Sequence, residues 1–139
     1  MRYDDQIFDL VFEIAKSLKE QMSYDIQAAH LTLLQVQALF FIKMKKNAQM
    51  KEIADQFKVK MSTATSLLDK LVTMGLVVRI NDFKDRRIVR IRLTKKGNDF
   101  VDSAMRQKRK KIKSLLSYLK SEDKKNLLRI LKVIKNKIS

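Results

Sequence analysis

The side chains that are best suited to bind a ligand are cations that cluster on a predicted β-hairpin. Five share this ribbon: Lys84, Arg86, Arg87, Arg90 and Arg92. Like charges this close together repel, so the ribbon normally needs an anion to offset it. A narrow DNA minor groove suits guanidinium groups because it concentrates negative potential. Asp85 lies among these cations and fits the part of a carboxylate that orients a guanidinium. The alternative is a charged tip that only protects a hairpin edge from aggregation.

A predicted helix upstream of the ribbon offers a second polar surface. The spacing of Ala64, Leu67, Leu68 and Leu71 predicts a helix over residues 62–74 with one apolar face. Small hydroxyls dominate the opposite face and allow close approach to phosphates and base edges. That face carries Ser62, Thr63, Thr65, Ser66, Asp69 and Lys70. Taken alone, such a face is equally typical of any solvent-exposed helix.

Hydrophobic spacing predicts the elements that position these two surfaces. Helices are expected over residues 4–27, 31–46, 50–57, 62–74, 94–119 and from about 121, with strands over 76–80 and 88–93. Proline is absent and only two glycines occur, which favours a mostly helical chain. The predicted fold is mainly α with a small two-stranded antiparallel wing: a winged helix-turn-helix plus a helical dimerisation region.

Composition narrows the classes of function. The 139 residues include 31 Lys and Arg against 15 Asp and Glu, for a net charge of +16, which favours a polyanionic partner. There is no cysteine and one histidine, so we expect no disulfide, no metal site and no cofactor. We find no nucleophile–base pair and no phosphate loop, so an enzyme is not expected. Apolar runs are too short to span a bilayer, and the expectation is a cytoplasmic protein without a membrane partner.

Several motifs together resemble the MarR (multiple antibiotic resistance regulator) family of winged-helix repressors. Asp85-Arg86-Arg87 followed by Thr94-Lys95-Lys96-Gly97 matches the D-x-R and L-T-x-x-G signatures of that family in spacing. Segments 31–35, 62–65, 71–79 and 119–123 match its second helix, recognition helix, following strand and final helix. The resemblance is centred on residues 31–97 and extends over nearly the whole chain in the right order.

The resemblance implies a DNA-binding role for particular residues. Arg87 would enter the minor groove with Asp85 holding it, the helix hydroxyls would face the major groove, and Lys70 and Arg79 would lie near the DNA backbone. The full predicted set is Ser62, Thr63, Thr65, Ser66, Lys70, Arg79, Lys84, Asp85, Arg86 and Arg87. The predicted recognition helix has no arginine, so a bidentate guanine contact is not evident. Contacts from the wing are therefore expected to be relatively more important for DNA recognition.

Two apolar stripes predict a homodimer. The first helix carries Ile7, Leu10 and Ile14, and the last carries Leu127, Leu131, Ile134 and Ile138. A single small domain can cover such faces only in part, and exposed apolar faces usually meet a partner. We therefore expect residues 1–30 and 95–139 to form the dimerisation region and residues 31–94 the DNA-binding domain.

The predicted function is a sequence-specific transcriptional regulator, a repressor, that binds double-stranded DNA as a homodimer on a pseudo-palindromic operator. The resemblance adds a ligand response to a small aromatic or anionic effector, with a cleft where the winged domain meets the dimer helices, but identifies no effector-binding residue. The alternative is a general DNA-coating or architectural protein with little sequence specificity, which the high positive charge favours.

Overall fold

The computed structural model describes residues 2–28 and 30–139, with the backbone alone for residues 22–28. The elements are α1 (Tyr3–Ala28), α2 (Leu33–Lys45), β1 (Ala48–Gln49), α3 (Met50–Gln56), α4 (Met61–Thr73), β2 (Val77–Asn81), β3 (Val89–Leu93), α5 (Lys95–Leu116) and α6 (Ser121–Ile138). The predicted winged helix-turn-helix fold is confirmed. The chain forms two compact units, Met1–Asp102 and Ser103–Ser139. No helix within the described residues is long and apolar enough to cross a membrane.

The predicted two-stranded antiparallel wing is confirmed, and a short third strand that the sequence did not predict extends its sheet. β2 and β3 pair antiparallel, from Val77 opposite Leu93 to Asn81 opposite Val89. β1 adds to the other side of β3, with Ala48 opposite Ile91. A strand of two residues is too short to produce an alternating hydrophobic pattern, and it exists because β3 supplies its partner. We call β2, β3 and the intervening loop of residues 82–88 the wing.

The core of the first unit holds α4 and the wing together. It is built from α2, α3, α4, the sheet and the first turns of α5, and its largest fully buried side chains are Leu39, Ile42, Ile53, Leu68, Leu71, Val77, Ile91 and Val101. Burying each such side chain contributes roughly 1.5–3 kcal/mol. Because residues of α4, β2 and β3 share this one core, the orientation of the helix relative to the wing is set by packing.

Two local signals in the sequence are confirmed at helix ends. Thr32 and Gln35 form the predicted capping box: the Gln35 amide donates to Thr32 Oγ1 (3.1 Å), and the Thr32 amide donates to Gln35 Oε1 (2.9 Å). Gly75 follows α4 with φ +74°, the left-handed conformation that ends a helix.

The Thr94–Gly97 segment ties the start of α5 to the end of α4. Thr94 Oγ1 donates to the Gly75 carbonyl oxygen and accepts from the Gly97 amide (3.0 Å). A Cβ atom on Gly97 would lie 2.0 Å from the Leu76 carbonyl oxygen. Glycine is therefore required here because two backbone segments approach closely, which gives the T-x-x-G pattern a structural reason.

The second unit, Ser103–Ser139, has little core of its own. α6 lies entirely within the described residues and buries none of its side chains. Its apolar stripe is about half exposed, with Leu131 and Ile134 each at 52%. An apolar helix face left this open in one chain is typical of a surface that a second chain covers.

Candidate nucleic-acid interface

α4 buries one face and presents the predicted polar face to solvent. Its period of 3.6 residues places Ala64, Leu68 and Leu71 in the core. The predicted contacts Ser62, Thr63, Thr65, Ser66 and Lys70 are all exposed. Lys60 is the N-cap residue, and the described contacts include no side-chain cap at this end. The backbone N–H groups of the first turn, at the positive end of the helix dipole, therefore remain for an anion such as phosphate.

The Thr65 hydroxyl already uses its proton within α4. Thr65 Oγ1 donates to the Met61 carbonyl oxygen at 2.8 Å. A hydroxyl has one proton to donate and can still accept. In this orientation Thr65 can accept from an amino group on a base edge, whereas donating to a phosphate would require it to leave the Met61 carbonyl.

Arg79 is braced against α4. From β2, its Nη2 atom donates to the Asp69 carboxylate and to the Thr65 carbonyl oxygen (3.3 Å). The side chain is 34% exposed. These hydrogen bonds of Arg79 hold α4 against the sheet. The sequence shows Asp69 on the polar face of α4, but the partner of this carboxylate, ten residues away on another element, was missed.

Arg87 and Asp85 form the predicted pair at the wing. Asp85 Oδ1 accepts from both the backbone amide and Nε of Arg87, and Asp85 Oδ2 accepts from Nη2, all at 3.1 Å. The side-chain hydrogen bond from Arg87, followed by that from its backbone amide, lowers the pKa of the Asp85 carboxyl. The carboxylate is therefore charged at neutral pH and fixes a guanidinium whose side chain remains 91% exposed.

Two of the five ribbon cations are tied back to the fold. Arg90 Nη1 donates to the Asn47 carbonyl oxygen (3.1 Å), and Arg90 Nε lies 3.5 Å from Asp82 Oδ1. Arg92 Nε donates to Asn47 Oδ1 at 2.9 Å. These two arginines link the wing to the residue that precedes β1, more than 40 positions earlier, which no local sequence signal indicates. Lys84, Arg86 and Arg87 are the exposed cations of the wing loop.

The helix and the wing meet in one concave surface, which we call the cleft. Its volume is about 660 Å³, and Thr65 of α4, Arg79 of β2 and Arg87 of the wing loop all line it. Met50, Ala54 and Val59 contribute apolar wall. Three residues predicted separately from the sequence are thus brought to one site, with two guanidinium groups beside α4.

The predicted dimer residues lie on exposed faces within their own units. In the first unit Ile7 and Leu10 of α1 are each 58% exposed, and Ile14 is 55% exposed. In the second unit Leu127 is partly buried, and Leu131, Ile134 and Ile138 are exposed. Among the described residues, no three His, Asp or Glu side chains are placed to hold a metal ion.

Comparison with known proteins places the site within a recognised domain. A family model described as a winged helix DNA-binding domain matches residues 31–97. The chain is 28% identical over 100 residues to YhbI, an uncharacterized HTH-type transcriptional regulator of Bacillus subtilis, covering 72% of this chain and 65% of YhbI. It is 25% identical over 108 residues to the HTH-type transcriptional repressor MdtR of the same organism, covering 78% of this chain and 70% of MdtR. The chain thus spans slightly less than two thirds of YhbI.

Solved structures share the fold across almost the whole chain. A MarR family protein from Bacillus stearothermophilus superposes with a TM-score of 0.85 at 23% identity, covering 99% of this chain and 98% of that one. A MepR mutant of S. aureus bound to an oligodeoxyribonucleotide superposes with a TM-score of 0.73 at 19% identity, with both chains covered completely.

Proposed function

We propose that this chain is a MarR-family winged-helix transcriptional regulator that represses transcription by binding an operator as a homodimer. The observation that carries the proposal is the cleft, where Thr65 of α4, Arg79 of β2 and Arg87 of the wing loop line one concave surface. A B-DNA major groove admits an α-helix, and an adjacent minor groove suits an exposed guanidinium.

In the proposed complex the two parts of the interface have separate tasks. The recognition helix α4 enters the major groove, where Ser62, Thr63 and Ser66 contact base edges and phosphates. Arg87 enters the neighbouring minor groove, and Lys84 and Arg86 contact the backbone. The wing loop exposes three cations, whereas α4 exposes only Lys70, so the wing provides most of the salt-dependent affinity of these two parts.

The homodimer is proposed from the apolar faces of the terminal helices. Ile7, Leu10 and Ile14 on α1, and Leu131 and Ile134 on α6, are each more than half exposed in the single chain. A second copy would cover them by two-fold symmetry. This supports the division into a dimerisation region, residues 1–30 and 95–139, and a DNA-binding domain, residues 31–94. Sedimentation should show a dimer at micromolar concentration; a stable monomer would contradict the proposal.

Repression and ligand response are the finer parts of the proposal. MdtR, a relative over 78% of this chain, is named a transcriptional repressor, and a dimer seated on an operator can exclude polymerase. A small aromatic or anionic effector is compatible with the net charge of +16. Such a ligand changes DNA affinity only if it binds the free and DNA-bound conformations differently. Ligands that bind but leave operator affinity unchanged would contradict the coupling.

The decisive experiment selects bound fragments from genomic DNA and footprints the best of them. A two-fold dimer should protect a pseudo-palindrome whose half-sites lie about one helical turn, roughly 10 base pairs, apart. Affinity for the selected fragment should exceed that for random DNA by about 10³ or more at physiological salt.

The second candidate function is non-specific DNA coating. The net charge of +16 and a recognition helix without arginine favour it. It predicts a continuous footprint without two-fold symmetry and nearly equal affinities for selected and random fragments across a salt series. Either result would replace the operator-binding proposal.

A further inference from the structure

The wing loop carries one side chain that the proposed DNA contacts do not use. Phe83 is 99% exposed, the highest value among the exposed large apolar side chains of the described residues. A phenyl ring in water at a loop tip contributes nothing to the core of this unit. Its neighbours along the loop are Lys84, Arg86 and Arg87, the exposed cations of the wing.

The loop around Phe83 is closed by internal hydrogen bonds. The Asp82 amide donates to the Ile88 carbonyl oxygen (2.9 Å), and the Ile88 amide donates to the Asp85 carbonyl oxygen (3.0 Å). The Asp82 carboxylate also pairs with Arg90, which is itself anchored to Asn47. The backbone that carries Phe83 is therefore held at both ends of the loop, and the ring is presented from a fixed turn.

We propose that Phe83 is an apolar wedge that inserts into the DNA minor groove and contacts a base step beside the Arg87 site. Proteins that bind the minor groove commonly place an apolar side chain between base pairs and partly unstack them. The occupant is DNA because the exposed charged side chains that share the wing loop with the ring, Lys84, Arg86 and Arg87, are cations. An apolar protein surface would have to desolvate those charges, whereas phosphates on both sides of a groove neutralise them. The inference rests on the proposed function.

The wedge contributes to specificity as well as to affinity. Pyrimidine–purine steps unstack and kink easily, whereas A-tracts are stiff. Selected operators should therefore carry a flexible step, such as TA or CA, at the position of each wing. This gives a sequence preference that needs no arginine on the recognition helix.

Affinity measurements with matched variants test the wedge. The probe is a duplex that the wild-type protein selects from a random library. Phe83→Ala should weaken binding about tenfold, in the range expected for losing a base–aromatic contact, and should reduce the DNA bend measured by gel mobility. The slope of log affinity against log salt should stay unchanged, because no charge is lost. Arg87→Ala is the matched control. It should lower the affinity and make that slope shallower, because a charge is lost.

A fluorescence experiment tests the contact directly. The chain has no tryptophan, so Phe83→Trp creates a sole indole reporter at the wing. On adding the selected duplex, its emission should be quenched by stacking and it should become protected from acrylamide. Tyr118→Trp provides a second exposed aromatic position, in Ser103–Ser139, which should remain accessible to acrylamide.

Three outcomes would overturn the wedge. Phe83→Ala could bind and bend the duplex like wild type while Arg87→Ala loses affinity, which would leave the proposed function intact. The indole at the wing could stay fully accessible to acrylamide on DNA. Its emission could instead change with protein concentration in the absence of DNA, which would assign the ring to contact with a second copy. Wild-type protein that shows no preference for any selected duplex would instead contradict the proposed function.

Discussion

The recognition helix and the wing loop each hold an aspartate that pairs with an arginine, but the two pairs differ in what they leave open. Arg79 of β2 bonds to Asp69 of α4 and to a backbone carbonyl oxygen of α4, and its side chain is 34% exposed. At the wing, Arg87 receives a bidentate carboxylate from Asp85 and its side chain is 91% exposed. The first pair joins two elements of the fold, whereas the second aims a cation outward.

This contrast suggests that the charged contacts to DNA and the neutral contacts to bases lie on different elements. The exposed contacts of α4 are mostly neutral hydroxyls, and a neutral hydrogen bond is weaker than a charge-assisted one. The wing loop exposes cations, which release counterions from DNA. We therefore expect the cations of the wing to set the strength of binding and its salt dependence, and the helix hydroxyls, together with the proposed Phe83 wedge, to tune which sequences are preferred.

The largest effect should follow removal of the outward-pointing guanidinium. Arg87→Ala should weaken operator binding by about 1–3 kcal/mol per subunit. It should also reduce the slope of log affinity against log salt by about 1, the value for one lost phosphate contact. Arg106→Ala removes the same charge from an exposed position on α5 and should cost less. Equal losses from the two variants, measured by titration at two salt concentrations, would show that only net charge matters.

Removing Asp85, the partner of that guanidinium, should change operator affinity less. The direction of the change separates two explanations of its role. Asp85→Ala should weaken binding, because Arg87 is then no longer held in one orientation. Charge alone predicts the opposite, since a carboxylate near DNA repels phosphates. Asp99→Ala, at an exposed carboxylate on α5, is the control for charge. Tighter operator binding by Asp85→Ala would contradict the positioning role, provided circular dichroism shows both variants folded.

Breaking the Asp69–Arg79 ion pair should change the preference for operator over random DNA more than it changes the affinity itself. Asp69→Asn removes the ion pair with Arg79, and an exposed pair contributes up to about 1 kcal/mol. We expect the ratio of operator to random-DNA affinity to fall by up to about fivefold, while random-DNA affinity rises slightly with the lost negative charge. A ratio that stays at the wild-type value would show that core packing alone positions the helix.

The smallest effects should come from the hydroxyls of the recognition helix. Ser62→Ala, Thr63→Ala and Ser66→Ala should each cost roughly 0.5–1 kcal/mol, the usual contribution of a neutral hydrogen bond. Their salt dependence should match wild type, and the selected sequence should shift at one position. A hydroxyl variant that costs more than Arg87→Ala would reverse the comparison between helix and wing.

Features encoded within a few residues were predictable from the sequence. Helical periodicity identified α4 and its exposed face, a short β-branched run identified β2, and alternation identified β3. Gly75 marked the end of the helix. The Asp85–Arg87 pair was predictable because its partners are two residues apart. The DNA contacts themselves remain predictions.

Features that depend on distant partners were not predictable in the same way. β1 is two residues long and is defined by its pairing with β3. Arg90 and Arg92 carry the same charge as the exposed cations of the loop, and only the folded chain shows that Asn47 engages both. Charge type is written in the sequence, whereas the choice between anchoring and exposure depends on which residues folding brings together.

The two glycines should differ sharply in a scan of all amino acids at each position. Gly75 needs a left-handed backbone, but no atom beyond its chain neighbours lies within 4 Å of where a Cβ would stand. Asparagine adopts that conformation at modest cost, so the position should accept it. At Gly97 a Cβ would lie 2.0 Å from the backbone oxygen of Leu76, an atom that no side-chain rearrangement can move away. Position 97 should therefore tolerate no substitution, alanine included, and among surviving variants its codons should encode glycine alone.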